Sequence, residues 1–188
     1  MTSMTLANVR ALEAREPLAL SLTLIRAPLG AGIAATILFG DLPAAAALLV
    51  AFVIIDIADG AVARARCGDD ALRRACDSVI DRSSVFFCFA AAAVHHPTFA
   101  PTVFLVGVAS LLLLKTAYRN YRRLGLVLRA PASHRIWSLG LFASGLLYCA
   151  RIDEASVALS VVSSSAMMVC TAQLRLWHGR LAHRVHSW

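Results

Sequence analysis

The sequence predicts an all-α membrane protein: a bundle of six transmembrane helices preceded by a short interfacial helix, with both termini in the cytoplasm. The chain has 188 residues, of which 59% are apolar and 15% are charged, whereas soluble domains average roughly half apolar and about a quarter charged residues. Its apolar residues form six successive runs. Nearly all of its basic residues lie at those ends of the runs that are expected to face the same side of the membrane. This length leaves room for one membrane domain over residues 1–188 and no second.

The N-terminal segment predicts a short helix that lies in the membrane interface. Leu6, Val9 and Leu12 recur at helical spacing, with Arg10 and Glu13 between them. An apolar face flanked by charges is typical of a helix at the level of the headgroups. An ordinary frayed terminus would explain the same pattern.

The apolar runs predict the six spans. About 20 helical residues cross a hydrocarbon core of about 30 Å, and the runs are close to that length. Glycine and proline mark turns between them, as from Gly40 to Pro43. The predicted spans are residues 18–39, 42–63, 75–94, 99–118, 135–150 and 155–174.

The basic residues predict the orientation. The loops near residues 41, 96 and 152 contain one of the 18 lysines and arginines, Arg151. The others lie at the opposite ends of the spans, and such an excess is typical of cytoplasmic loops beside anionic lipids. We therefore expect an integral protein of the cell membrane, the inner membrane where there are two, with its active site facing the cytoplasm. In this setting the positive charge does not indicate a nucleic-acid partner.

Four aspartates interrupt the apolar runs. Asp56 and Asp59 lie late in the second run, and Asp77 and Asp81 lie early in the third. The spacings i, i+3 and i, i+4 place each pair on one helical face. Counted from the outer turns, Asp56 and Asp81 lie at matching depths of about 22 Å and about 21 Å. A carboxylate in a membrane span is costly and indicates a functional site.

Four carboxylates around one cavity predict a metal site. They repel one another unless neutralised, and two divalent cations would balance their formal charge. Oxygen ligands favour Mg²⁺ or Mn²⁺ over zinc, so we expect two such ions. Two alternatives stay open, namely carboxylates paired with arginines inside the bundle and a proton or cation pathway. A pathway would also place acids deeper in the membrane, and none of the four lies there.

From residue 56 to residue 81 the chain reads D-I-A-D-G-A-V-A-R, then twelve residues, then D-S-V-I-D. This segment resembles the signature of the CDP-alcohol phosphatidyltransferase family, D-x2-D-G-x2-A-R-x8-G-x3-D-x3-D. The signature's second glycine falls on Arg73, which is a departure. In a weaker match, Thr23 and Arg26 fit the family's N-x-x-T-x-x-R, with Leu20 in place of the asparagine. Seven of the eight fixed positions of the signature match, at Asp56, Asp59, Gly60, Ala63, Arg64, Asp77 and Asp81.

The resemblance implies a six-helix bundle that forms a homodimer, with a polar pocket open to the cytoplasm. It also implies a reaction in which an alcohol hydroxyl attacks the lipid-linked phosphorus of a CDP-activated donor, typically CDP-diacylglycerol, and CMP leaves. By motif position, Asp56, Asp59 and Asp77 would hold the metals, and Asp81 would be both a metal ligand and the catalytic base. The residues implied to line the cytidine diphosphate site are Gly60, Ala63 and Arg64.

Basic residues at a similar depth predict a substrate-binding anion site. Arg26 and Lys115 each lie about 21 Å from an outer turn, and Arg119 lies one turn beyond Lys115. They suit the acceptor's phosphate or the donor's diphosphate, and snorkelling to the headgroups is an equal alternative. Lys115, Arg119 and Arg135 favour a phosphorylated acceptor. Enzymes that the chain resembles use glycerol 3-phosphate, inositol phosphate, serine and other alcohols, and all of these remain open.

Three functions fit these observations. The first is a transferase that makes a phospholipid from a CDP-linked lipid and a small alcohol. The second is a binding or scaffold protein in which Arg73 blocks the nucleotide, and the third is an ion-coupled transporter. All four aspartates are kept, which disfavours the scaffold, and the absence of acids deeper in the membrane disfavours the transporter.

Overall fold

The computed structural model describes residues 17–66, 71–124 and 132–185. These ranges are all-helical, and a 3₁₀ turn at Pro97–Phe99 precedes α4. The predicted interfacial helix at Leu6 to Leu12 lies outside the described residues. The helices are α1 (Pro17–Leu38), α2 (Leu42–Arg66), α3 (Ala71–His95), α4 (Ala100–Leu124), α5 (Ala132–Cys149) and α6 (Asp153–Val185).

Among the described residues, five segments are long and apolar enough to cross a membrane. They lie in α1, α2, α3, α6, and the 3₁₀ turn with α4. Helix α5 carries a shorter apolar segment, Ile136–Cys149. Five of the six predicted spans therefore have the required length and composition, while the crossing predicted for residues 135–150 stays a prediction, as do the cytoplasmic termini.

The short turns between helices lie at one end of the bundle. The ring Nε2 of His95, at the end of α3, is 3.0 Å from the carbonyl oxygen of Leu38, at the end of α1. The ring of Tyr148, near the end of α5, contacts His96 and Phe99, with centroids 5.6 Å and 5.3 Å away. Gly40, with φ of 77°, takes the left-handed conformation that the first of these turns requires. The segments that carry the aspartates consequently lie toward the opposite end.

One face of α1 packs against both α2 and α3. Its members recur every three or four residues, which places them on one side of the helix. All of them are buried, and the two nearest the start of the helix are polar. They are Thr23, Arg26, Gly30, Ile33 and Ile37.

Gly30 allows α1 to approach α3 closely. A Cβ atom at Gly30 would lie 2.6 Å from the Cβ and 3.4 Å from the Cα of Ser84 on α3. Small residues of this kind let helix backbones approach one another inside membranes. Because Gly30 lies one turn from Arg26 and Ser84 lies one turn from Asp81, the close contact brings these two charged residues into register.

We expect Gly30→Ala to destabilise the protein, because the added methyl group cannot fit unless the α1 and α3 backbones separate. Overpacking of this kind costs about 1–3 kcal/mol, which a lower melting temperature in detergent would reveal. Gly32→Ala is the matched control, since a Cβ there would make an ordinary 3.4 Å contact with the flexible Leu48 side chain. Equal melting temperatures for the two variants would contradict the close-packing interpretation.

Hydroxyl groups link the helices in the second half of the bundle, α4 to α6. The hydroxyl of Ser144 donates to the carbonyl of Ser156 at 2.8 Å, and Ser156 returns the bond to the carbonyl of Ser144 at 2.7 Å. The hydroxyls of Thr102 and Ser160 are 2.8 Å apart. Hydroxyl bonds between helices are a common means of association in membranes, where lipid removes the hydrophobic drive for helix pairing.

Candidate active site

The guanidinium of Arg26 lies at the centre of the predicted carboxylate site. Its Nη1 is 2.9 Å from Asp56 Oδ1 and 3.8 Å from Asp59 Oδ2. The same nitrogen bonds Asp77 Oδ1, and Nη2 contacts Asp81 Oδ1. The structure thus brings all four predicted aspartates, from two helices, around one side chain of a third.

Helical spacing on α2 and α3 accounts for this convergence. On α2, Phe52, Asp56 and Asp59 follow at intervals of four and three residues and so share a face. The Phe52 ring lies 4.9 Å from the Arg26 guanidinium carbon, so it covers the cation with an aromatic face. On α3, Asp77 and Asp81 are four residues apart and both reach the guanidinium from the other side.

Asp59 is more buried within the protein than the other three carboxylates. Its side chain is 1% exposed, and its Oδ2 accepts a 2.7 Å hydrogen bond from the Thr23 hydroxyl. Thr23 and Arg26 are three residues apart on α1, so one face of that helix holds Asp59 through the hydroxyl hydrogen bond and a longer 3.8 Å ion pair. Hydrogen bonds to an ionised acceptor are stronger than neutral ones, which stabilises a carboxylate at this buried position.

The remaining three carboxylates form an open group. The side chains of Asp56, Asp77 and Asp81 are 47%, 32% and 39% exposed. Each offers one oxygen atom, and these oxygens all lie within 4.8 Å of one another. A set of oxygen donors at such separations fits Mg²⁺ or Mn²⁺. These three residues could therefore hold a divalent ion, and Asp59 Oδ2 lies 3.8 Å from the Arg26 Nη1 atom that contacts Asp56 and Asp77.

The charges of the cluster favour cation binding even with Arg26 present. Among the described residues, Arg26 is the cation that forms ion pairs with these aspartates. Carboxylates paired with an arginine, one of the two alternatives to a metal site that the sequence left open, are therefore part of the arrangement. Counted over the ion pairs that the described side chains form, one guanidinium is shared by four carboxylates. Arg82 on α3, which bonds Ser78, adds a positive charge that acts on Asp77 without an ion pair. Like charges this close raise one another's electrostatic energy, which a divalent cation relieves.

Other predicted site residues occupy less defined positions. Gly60 lies on α2 directly after Asp59 and is half-buried. Lys115, on α4, is exposed and forms no ion pair with the side chains that the structure describes. For five other residues the structure describes the helical backbone and not the side chain, so their predicted roles stay predictions. These residues are Ala63, Arg64, Arg73, Arg119 and Arg135.

Sequence reasoning gave no role to three contributors to this site, although Thr23 was named as part of the weaker motif. Thr23 bonds Asp59, Phe52 covers Arg26, and Gly30 sets the distance between α1 and α3. A signal for each was available in the helical spacing, since Thr23 precedes Arg26 by three residues and Phe52 precedes Asp56 by four. The contact of Arg26 with the aspartates, rather than with solvent, required the packing of α1 to be known.

Comparison with known proteins identifies the family. The sequence model described as CDP-alcohol phosphatidyltransferase matches residues 17–177, which contain α1 to α5 and most of α6. The chain belongs to this family. The resemblance that the aspartate motif indicated is thus confirmed, and the protein is a member of a family of transferases.

The fold of this CDP-alcohol phosphatidyltransferase is similar to that of a solved structure. The crystal structure of the phosphatidylinositol phosphate synthase of Mycobacterium tuberculosis, with CDP-DAG bound, superimposes with a TM-score of 0.55 at 21% sequence identity. The match covers 88% of this chain and 89% of that one. No curated protein matches the sequence. At this identity, the likeness establishes the helical membrane fold.

Proposed function

We propose that this CDP-alcohol phosphatidyltransferase moves a phosphatidyl group from CDP-diacylglycerol to an alcohol, with release of CMP. The observation that carries the proposal is the open group of three carboxylate oxygens within 4.8 Å of one another, next to a buried fourth carboxylate, in a member of this family. A site near one end of an apolar bundle suits a donor whose acyl chains lie in lipid and whose diphosphate lies in water.

The aspartates have complementary roles in the proposed reaction. Asp56, Asp59, Asp77 and Asp81 would hold two Mg²⁺ or Mn²⁺ ions. Bound there, such ions neutralise the anionic diphosphate and the CMP that leaves. The chain's own contribution is to fix the carboxylates, through α1, at a depth that the donor's phosphorus can reach.

Asp81 takes the proton of the acceptor. An alcohol hydroxyl is a weak nucleophile until a positioned base removes its proton. Asp81 is 39% exposed, and its Oδ1 faces Arg26. As the acceptor oxygen bonds to the lipid-linked phosphorus, the bond from that phosphorus to the CMP oxygen breaks, and the acceptor's proton moves to the Asp81 carboxylate.

Residues that flank the aspartates are assigned to the nucleotide and to the acceptor. Gly60, Ala63 and Arg64 would line the cytidine diphosphate site on α2, where a glycine lets a ligand approach the backbone. Lys115 and Arg119 on α4 would bind an anionic group, which favours a phosphorylated acceptor. We further propose a homodimer in the cell membrane with this site facing the cytoplasm. The excess of basic residues at these helix ends supports the orientation.

Release of CMP tests the proposal. Purified protein would be mixed with CDP-diacylglycerol and, in turn, glycerol 3-phosphate, inositol phosphate or serine, with Mg²⁺, with Mn²⁺ or with EDTA. We expect CMP only when one of the acceptors and a divalent cation are present, because the clustered carboxylates repel an anionic donor until a cation offsets their charge. Full activity in EDTA would contradict the metal assignment. No CMP with any alcohol would contradict the transfer reaction.

A further inference from the structure

The burial of Arg26 is unusual for a cation proposed to meet a substrate. Its side chain is 0% exposed, enclosed by Phe52 and by the four aspartates. An arginine is not deprotonated in proteins, so this charge is permanent. A buried permanent charge needs partners, and here its partners are the carboxylates themselves.

Arg26 contacts the same three carboxylates that a metal ion would use. Nη1 lies against the Oδ1 atoms of Asp56 and Asp77, and Nη2 lies against the Oδ1 atom of Asp81. These aspartates are the members of the open carboxylate group. The guanidinium already offsets part of the negative charge of these carboxylates, and a metal ion would be attracted by the same charge, so the two cations compete.

We infer that Arg26 is a built-in counter-cation: it holds the carboxylates of α2 and α3 against α1 before a divalent cation binds, and it lowers the affinity of the site for that cation. This role differs from the substrate contact predicted from the sequence. The inference rests on the proposed metal site but not on the transfer reaction.

Two consequences follow from removing the positive charge. Without it, the four carboxylates repel one another, so the packing of α1 against α2 and α3 becomes dependent on added metal. The same loss raises the negative potential at the open carboxylates, so Mn²⁺ binds them more tightly. A residue that only filled space would change stability alone, and a substrate ligand would change neither property in the absence of donor.

The experiment measures Mn²⁺ affinity and thermal stability of the full-length protein in detergent, without CDP-lipid. In wild type, we expect EDTA to leave the melting temperature nearly unchanged, because Arg26 replaces the metal as counter-charge. In Arg26→Gln, we expect a melting temperature well below that of wild type in EDTA, recovery of most of the loss in Mn²⁺, and a dissociation constant for Mn²⁺ at least about tenfold lower than that of wild type.

Two further variants separate charge from position. Arg26→Lys keeps the charge but loses the planar pair of donors, so we expect an Mn²⁺ affinity close to that of wild type and a modestly lower melting temperature. Arg151→Gln removes an exposed positive charge from the turn at the opposite end of the bundle and keeps a non-glycine residue at φ 60°. We expect this control to match wild type in both measurements.

The outcomes are distinct. Unfolding of wild type in EDTA, or unchanged or weaker Mn²⁺ binding by Arg26→Gln, would overturn the counter-cation role. If Arg26→Gln cannot be purified, the wild-type EDTA measurement and the Arg26→Lys variant decide, and an Arg26→Lys protein that binds Mn²⁺ tenfold more tightly than wild type would overturn it as well. Absence of Mn²⁺ binding in every variant would instead contradict the proposed metal site, and failure to release CMP would concern the proposed reaction alone.

Discussion

Replacing Asp77 by asparagine is expected to abolish CMP release, with a loss of at least about a hundredfold in turnover. Asp77 belongs to the open carboxylate group and also bonds the Arg26 guanidinium, so it links α3 to α1 and offers an oxygen to the metal. Asparagine keeps the shape and one oxygen but removes the negative charge that holds a divalent cation. Turnover measured as CMP release, together with Mn²⁺ affinity, checks this expectation.

Asp41→Asn is the control for that variant. Asp41 precedes α2 at the opposite end of the bundle, where its Oδ1 accepts a 3.1 Å hydrogen bond from the backbone N–H of Ala44. Asparagine caps a helix about as well as aspartate, so the same chemical change should leave both activity and stability near those of wild type. Undiminished turnover in Asp77→Asn would remove that residue from the proposed metal site.

The second large effect is expected from Asp81→Asn, which should lower kcat by about a hundredfold or more while the KM for the CDP-linked donor changes little. The proposed task of Asp81 is to take the acceptor's proton, and an amide cannot do so. One negative charge is lost, while Asp56, Asp59 and Asp77 still hold metal. Initial rates at varied donor concentration, with acceptor in excess, separate kcat from KM.

Asp56→Asn provides the comparison for Asp81→Asn. Asp56 offers an oxygen to the same group but has no proposed part in proton transfer. Its variant should therefore bind Mn²⁺ more weakly and regain activity at high metal concentration, whereas Asp81→Asn should remain slow when saturated with metal. Wild-type turnover in Asp81→Asn would mean that the base lies elsewhere in the site.

The helical architecture could be predicted because it depends on local properties. The long apolar runs and the turn residues between them are readable one segment at a time, and the structure places α1 to α4 and α6 close to the predicted spans. Helix α5 shows the limit of this reasoning. Its described apolar segment is Ile136–Cys149, and whether a segment crosses depends on neighbouring helices and on the lipid as well as on its own sequence.

The sequence by itself determined which residues meet: the 3.6-residue period places Asp56 with Asp59 and Asp77 with Asp81, and the family motif names them. Only the tertiary structure decided how these residues differ in burial and in their partners. Because Gly30 lets α1 lie close to α3, Arg26 is buried among the carboxylates instead of exposed to a substrate. The same packing encloses Asp59 with Thr23 and leaves Asp56, Asp77 and Asp81 open. Burial depends on the distance between helices, a property of pairs of segments far apart in the chain, which no local pattern contains.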